Sequence, residues 1–250
     1  MTGHRKLFGA DWDDLKSVTS DQAKGLPQPP VQKPYSEDAK LVDLVPPSAL
    51  TIGTMPLVEV IGKRRSRRQF TSEPLTLEEL SFLLWATQGV TEVRERARGG
   101  GSTTLRTVPS GGARHPFETY LSVHRVARLE EGLYRYLAVE HKLCVISRGT
   151  GYAQRVCEAC GGQESARDAA VVFIWTAIPH RTAWRYTVAT PKLIALDAGH
   201  VCQNLYLAAE SIGCGTCAVG AYRQSEMDAF VGLDGEDEFV VYCAPVGKVS

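Results

Sequence analysis

The stretch between residues 192 and 212 constrains the rest of the chain more than any other. Ile194, Asp197, Val201, Leu205, Ala208 and Ile212 recur there at spacings of three and four, the repeat of an α-helix. At about 1.5 Å per residue such a helix spans roughly 30 Å, the width of a small domain. It is apolar on more than one face, so it is predicted to run through the centre with other elements packed around it. A chain of 250 residues, 44% hydrophobic and 22% charged, has enough material for one such core.

Other elements are marked by their own chemistry. Thr76 and Glu79 form a capping box that opens a helix through Leu77, Leu80, Leu83, Leu84 and Trp85, with Gly89 placed to end it. Leu57, Val60 and Ile61 lie at helical spacing just before a basic cluster. Strands are predicted at residues 117–126, 132–136, 169–177, 216–222 and 239–246, with a short helix at 225–231. Helices and strands alternate without βαβ regularity, which argues for an α+β fold in one unit, residues 56–250. Residues 1–55 read as a proline-rich N-terminal arm around Leu26-Pro-Gln-Pro-Pro-Val-Gln-Lys-Pro34, which disfavours helix interiors and central strands. Such an arm is either a tail or packed along the domain or a partner subunit. Residues 91–116, with Arg98-Gly-Gly-Gly-Ser-Thr-Thr104, read as loop: a lid or a disordered insertion.

Lys plus Arg and Asp plus Glu number 28 each, so no net field draws the chain to nucleic acid or an anionic membrane, and any phosphate site must be local. The first residues lack the apolar core of a signal peptide, and no run approaches the roughly 18 apolar residues of a membrane span, which predicts a cytoplasmic protein. Seven cysteines suit reduced thiols in a core better than a disulfide framework. The two Cys-x-x-Cys pairs, Cys157/Cys160 and Cys214/Cys217, are far apart, and the second falls on an expected strand, so no metal site is predicted.

Arg64-Arg65-Ser66-Arg67-Arg68 brings guanidinium forks and a hydroxyl onto one turn of backbone, a chemistry suited to a phosphate monoester. The same run also reads as a solvated basic face or a nucleic-acid patch. Gly213-x-Gly215-x-x-Ala218 has the spacing of a dinucleotide fingerprint, but helix precedes it and strand follows, the reverse of what that motif needs.

Five strings, in order from about residue 57 to 248, resemble the nitroreductase superfamily and in particular its SagB-type (McbC-like) dehydrogenase branch. They are Arg64-Arg-Ser-Arg-Arg-Gln-Phe70, Leu77-Glu-Glu-Leu-Ser-Phe-Leu-Leu-Trp-Ala-Thr-Gln-Gly-Val90, Pro109-Ser-Gly-Gly-Ala-Arg-His-Pro116, Leu196-Asp-Ala-Gly-His-Val-Cys-Gln-Asn-Leu-Tyr-Leu-Ala-Ala209 and Gly213-Cys-Gly-Thr-Cys-Ala-Val-Gly-Ala-Tyr222. The resemblance implies a nitroreductase-like fold with a central, mainly antiparallel sheet flanked by helices, in an intertwined homodimer with FMN bound between the copies. It makes Arg64, Arg65, Ser66 and Arg68 flavin ligands, brings Pro109, Ser110, Gly111 and Gly112 against the ring, and sets Val219 and Gly220 near flavin N5. Lys248 becomes a candidate for the flavin phosphate, and the helix carrying His200 an interface element.

Azoline dehydrogenases of this branch carry a Lys-Tyr pair in a stretch similar to Arg181-Thr-Ala-Trp-Arg-Tyr186, where the lysine position is Arg185. An arginine does not serve as a base, which argues against azoline oxidation. What is left for the pair is that Tyr186 donates or relays a proton and Arg185 stabilises negative charge; the alternative is an ordinary surface loop pair. The activity implied is hydride transfer through FMN, with NAD(P)H as a reductant and a small molecule or peptide as the other substrate. Open alternatives are a BluB-like enzyme that consumes its flavin, a flavin-binding scaffold in a peptide-modifying complex, and a nucleic-acid-binding module built on the basic cluster.

Overall fold

The computed structural model describes residues 12–95 and 101–250. In chain order the helices are α1 (Trp12–Ser17), α2 (Leu57–Lys63), α3 (Leu77–Gln88), α4 (Tyr152–Ala159), α5 (Glu164–Asp168), α6 (Pro179–Tyr186), α7 (Thr190–Ser211) and α8 (Gln224–Val231). The strands are β1 (Leu41–Asp43), β2 (Val90–Glu95), β3 (Ser102–Arg106), β4 (Phe117–Val123), β5 (Gly132–Leu137), β6 (Lys142–Arg148), β7 (Val171–Ala177), β8 (Cys214–Thr216) and β9 (Phe239–Lys248). Seven of them form one antiparallel sheet in the order β1-β6-β5-β4-β7-β9-β8.

Alternation along the central strands builds a core on both faces of this sheet. Phe173 and Trp175 of β7 turn to the face covered by α3 and α7, with Leu80, Leu83, Leu84 and Leu205, while Val172 and Ile174 turn to the face covered by α4 and α8, with Val156, Met227 and Phe230. The result is an α+β fold with a central antiparallel sheet flanked by helices. The capping box forms as expected: the Thr76 hydroxyl accepts from the Glu79 N–H at 3.1 Å, and the Glu79 carboxylate accepts from the Thr76 N–H at 2.8 Å. α7 is the predicted central helix, packed on α3, α6 and β8.

Three expectations need correction. Residues 91–116 are not all loop: β2 and β3 pair as an antiparallel hairpin, with Val93 opposite Thr104 and Arg94 opposite Thr103. Cross-strand pairing supplies the order that the polar composition does not advertise; residues 96–100 lie outside the described residues. The strand expected at 216–222 stops at Thr216, because the Ala218 N–H leaves the ladder for Tyr206 Oη at 2.9 Å before Val219 returns to pair with Cys243. Arg185 and Tyr186 are not a loop pair but the last turn of α6, whose Arg181, Thr182 and Trp184 are buried. From Gln22 to Thr51 the chain runs along the domain, adds β1 to the edge of the sheet and hydrogen-bonds to Glu78.

Candidate active site

Two clusters of the motif residues hang from opposite halves of α7. On its C-terminal half, Tyr206 organises the basic turn. Its hydroxyl lies 3.2 Å from Ser66 Oγ and accepts from the Ala218 N–H, and the Arg64 guanidinium stands 5.4 Å from its ring centroid. Backbone pairing fixes the turn, since the Arg67 N–H donates to Thr216 O at 2.9 Å. Gly215 lets the chains approach this closely: a Cβ there would stand 2.6 Å from Arg67 Cβ. Arg65 folds back onto the carbonyls of Gly62 and Arg64, and Arg67 faces Glu210 at 3.7 Å. Arg68 is exposed and has no hydrogen bond or ion pair among the described residues. A free fork beside a hydroxyl and two further arginines is a fitting receptor for a phosphate dianion.

On the N-terminal half of α7, Asp197 organises the Pro109–Gly112 loop. Its carboxylate accepts from Ser110 Oγ at 2.6 Å and from the Gly111 N–H at 3.1 Å, and Ser110 Oγ accepts in turn from the His115 N–H at 2.9 Å. Burial holds the Asp197 carboxyl above its ordinary range, against the lowering pull of these hydrogen bonds. The glycines are small for the protein's own reasons: a Cβ on Gly111 would stand 3.3 Å from the Leu193 side chain, and one on Gly112 would stand 2.5 Å from Tyr186 Oη. Gly112 also sits at φ +59, where a side chain is strained. Gly112→Ala is therefore expected to cost about 1 kcal/mol and to push the Tyr186 ring aside. Urea unfolding with and without Tyr186→Phe checks it, and full stability in the single variant would show that Tyr186 does not rest on this loop.

Beside this loop α7 and β9 line an apolar groove of about 530 Å³ bounded by Pro179, Ile194, Ala198, Gly220, Val241 and Tyr242. The Val219 N–H is taken by Cys243 O at 2.7 Å, which leaves exposed Gly220 as the backbone facing the groove. Lys248, opposite Cys214 at the end of β9, gives its ammonium to Glu79 of the capping box. Arg185 is exposed and lies 5.3 Å over the Tyr186 ring, and Tyr186 is half-buried against Gly112. All seven cysteines are free and buried; the neighbour of Cys160 is Cys243, at 3.9 Å. Among the described residues no His, Cys, Asp and Glu group is arranged to hold a metal, and no helix is long and apolar enough to cross a membrane.

Asp197 and Tyr206 are the organising residues that motif reading passed over. Asp197 carried a signal: an acid at a position the periodicity buries must find donors. Tyr206 carried none, since nothing in its spacing sets it apart from a packing residue.

Both clusters sit on one central helix packed on a seven-stranded antiparallel sheet between helical layers. A profile of the Nitroreductase family matches residues 61–248, and the chain belongs to that family. It is 35% identical over 193 residues to a nitroreductase-family protein of Methanocaldococcus jannaschii, covering 77% of this chain and 90% of that protein. It is 30% identical over 138 residues to the trifolitoxin-processing protein TfxB of Rhizobium leguminosarum bv. trifolii, covering 54% of this chain but only 37% of TfxB. Among solved structures, a nitroreductase-family protein from Ralstonia eutropha superposes with a TM-score of 0.67 at 26% identity over 90% of this chain and 95% of that one. The NADPH:FMN oxidoreductase of Vibrio harveyi shares the fold at TM-score 0.51 and 20% identity, over 77% and 68% of the two chains.

Proposed function

We propose that this chain is an FMN-dependent oxidoreductase of the SagB-type dehydrogenase branch, working as a homodimer that passes hydride between a reductant such as NAD(P)H and a small-molecule or peptide substrate. The observation that carries this is the pairing of a phosphate-fitted arginine turn with an apolar, glycine-edged groove on one helix. Asp197 and Tyr206, which anchor the loop and the turn, are nine residues apart on α7 and so about 14 Å apart along its axis. That separation suits an elongated cofactor or a pocket completed by a second copy. Leu57, Val58 and Ile61 of α2 are exposed, an apolar patch that a partner subunit would cover.

Bound FMN would supply the hydride chemistry, and the protein position and electrostatics. Arg64, Arg65, Ser66 and Arg68 would hold the phosphate, and the Pro109–Gly112 loop and Gly220 would border the ring. The apolar walls of the groove would keep water from the ring once FMN is bound. Tyr186 Oη, held against Gly112, holds or relays a proton at the substrate, and exposed Arg185 receives negative charge. With arginine at position 185 the pair supplies a cation and a phenol rather than an amine base.

Reconstitution with FMN followed by stopped-flow mixing with NADH and NADPH tests the reading. A yellow protein whose flavin bleaches with one nicotinamide and stays chemically intact through aerobic turnover is expected. A protein that stays colourless would overturn it. The similarity to TfxB favours one second reading, a flavin-binding scaffold in a peptide-modifying complex, which would show as a yellow protein that neither nicotinamide reduces.

A further inference from the structure

Residues 20–35 grip α6 at two points. The Gln22 N–H donates to Trp184 O at 2.8 Å, and Trp184 Nε1 donates to Leu26 O at 3.0 Å. Further along, the Lys33 N–H donates to Glu118 Oε1 at 2.7 Å, the same oxygen that accepts from Arg181 Nη2 at 2.6 Å. Arg181 and Glu118 are each 3% exposed, so neither charge has water to turn to if this arrangement loosens. Lys33 Nζ also reaches Glu238, which accepts from Thr176 Oγ1 of β7 at 2.6 Å. From the other side Arg114 donates through Nε to Arg181 O at 2.9 Å and lies 4.9 Å over the Trp184 ring.

α6 is an element that needs holding. It ends at Thr187 with φ +43 and ψ −116, a conformation that a β-branched residue keeps only when its surroundings impose it. Arg181 Nη1, Thr182 Oγ1 and Thr187 Oγ1 are buried there without a partner among the described residues. The last two residues before this strained corner are Arg185 and Tyr186.

We propose that residues 20–35 are a positioning element for the reaction: they splint α6 through Trp184 and the Arg181–Glu118 pair, so that Tyr186 stays against Gly112 with Arg185 over its ring. The catalytic half of this inference rests on the function proposed above; the splint itself does not.

Two variants separate the contacts. Lys33→Pro deletes the N–H given to Glu118, with Lys33→Ala as the control that keeps the N–H and loses only the side-chain contacts with Glu238 and Tyr120. Trp184→Phe deletes the bond to Leu26 O while keeping a ring under Arg114, and it serves alone if Lys33→Pro does not fold. Amide hydrogen exchange is expected to rise at least tenfold across residues 179–187 in Lys33→Pro and Trp184→Phe, with β7 unchanged and Lys33→Ala close to wild type. In the flavin-loaded protein, FMN Kd from fluorescence quenching should stay within twofold while kcat with a quinone acceptor falls at least tenfold. Unchanged exchange in α6, or exchange that rises equally in β7, would overturn the splint. Faster α6 exchange with unchanged kcat would overturn its positioning role. If wild-type protein takes up no FMN, the proposed function and the positioning role fall together, and the exchange data still decide whether the splint exists.

Discussion

Protein carrying Arg64→Ala and Arg68→Ala together should fold as before and emerge from purification without flavin, its FMN Kd raised about 10²–10⁴-fold. The magnitude follows from two charge-assisted hydrogen bonds lost to one phosphate, each worth about 1.5–3 kcal/mol. Folding should be spared because neither guanidinium holds the domain together: Arg68 has no partner among the described residues, and Arg64 only rests over Tyr206. Arg67→Ala is the informative control. Arg67 is held by Glu210, so its loss should leave FMN affinity within a few-fold. Fluorescence titration of all three proteins decides the matter. Equal affinity in the double variant and wild type would remove the arginine turn from the site, and with it the main support for a flavin enzyme.

What the sequence showed and what it hid divide along the range of the interactions involved. α7 and α3 were legible because their apolar periodicity and capping are local, and β7 because its run Val171–Ala177 is rich in β-branched and aromatic residues. α6 was hidden. Its eight residues begin with proline and bury an arginine, which is sensible only beside Glu118, 63 positions earlier in the chain. β6 was hidden by its half-exposed run Lys142–Arg148, ordered by β5 on one side and β1 on the other. The Ser110-Gly111-Gly112 turn was legible as a turn, but the cause of its glycines was not, because Leu193 and Tyr186 reach it from two helices far along the chain. Residue-by-residue carry-over from the family likewise named Val219 and Lys248 without seeing that the amide of one and the ammonium of the other already have partners, Cys243 and Glu79.

The same loop makes the protein acid-sensitive in a way that can be signed and sized. His115 is buried and neutral, its pKa pushed down to about 3, chiefly by burial and then by the positive charge of Arg106. His124 on the far end of β4 is held down to about 4, again chiefly by burial. Unfolded, both take a proton near pH 6.5, so the unfolded chain binds more protons than the folded one throughout the interval below that value. Stability is therefore complete above pH 6.5 and falls as the pH drops toward 4, by about 1.4 kcal/mol per pH unit for each histidine. Over two pH units this amounts to several kcal/mol, a large share of the roughly 5–15 kcal/mol that holds a domain folded. Urea midpoints between pH 7.5 and 4.5 should trace that slope, and His115→Gln and His124→Asn should each remove about half of it. A slope indifferent to both substitutions would mean that the imidazoles are hydrated or paired differently.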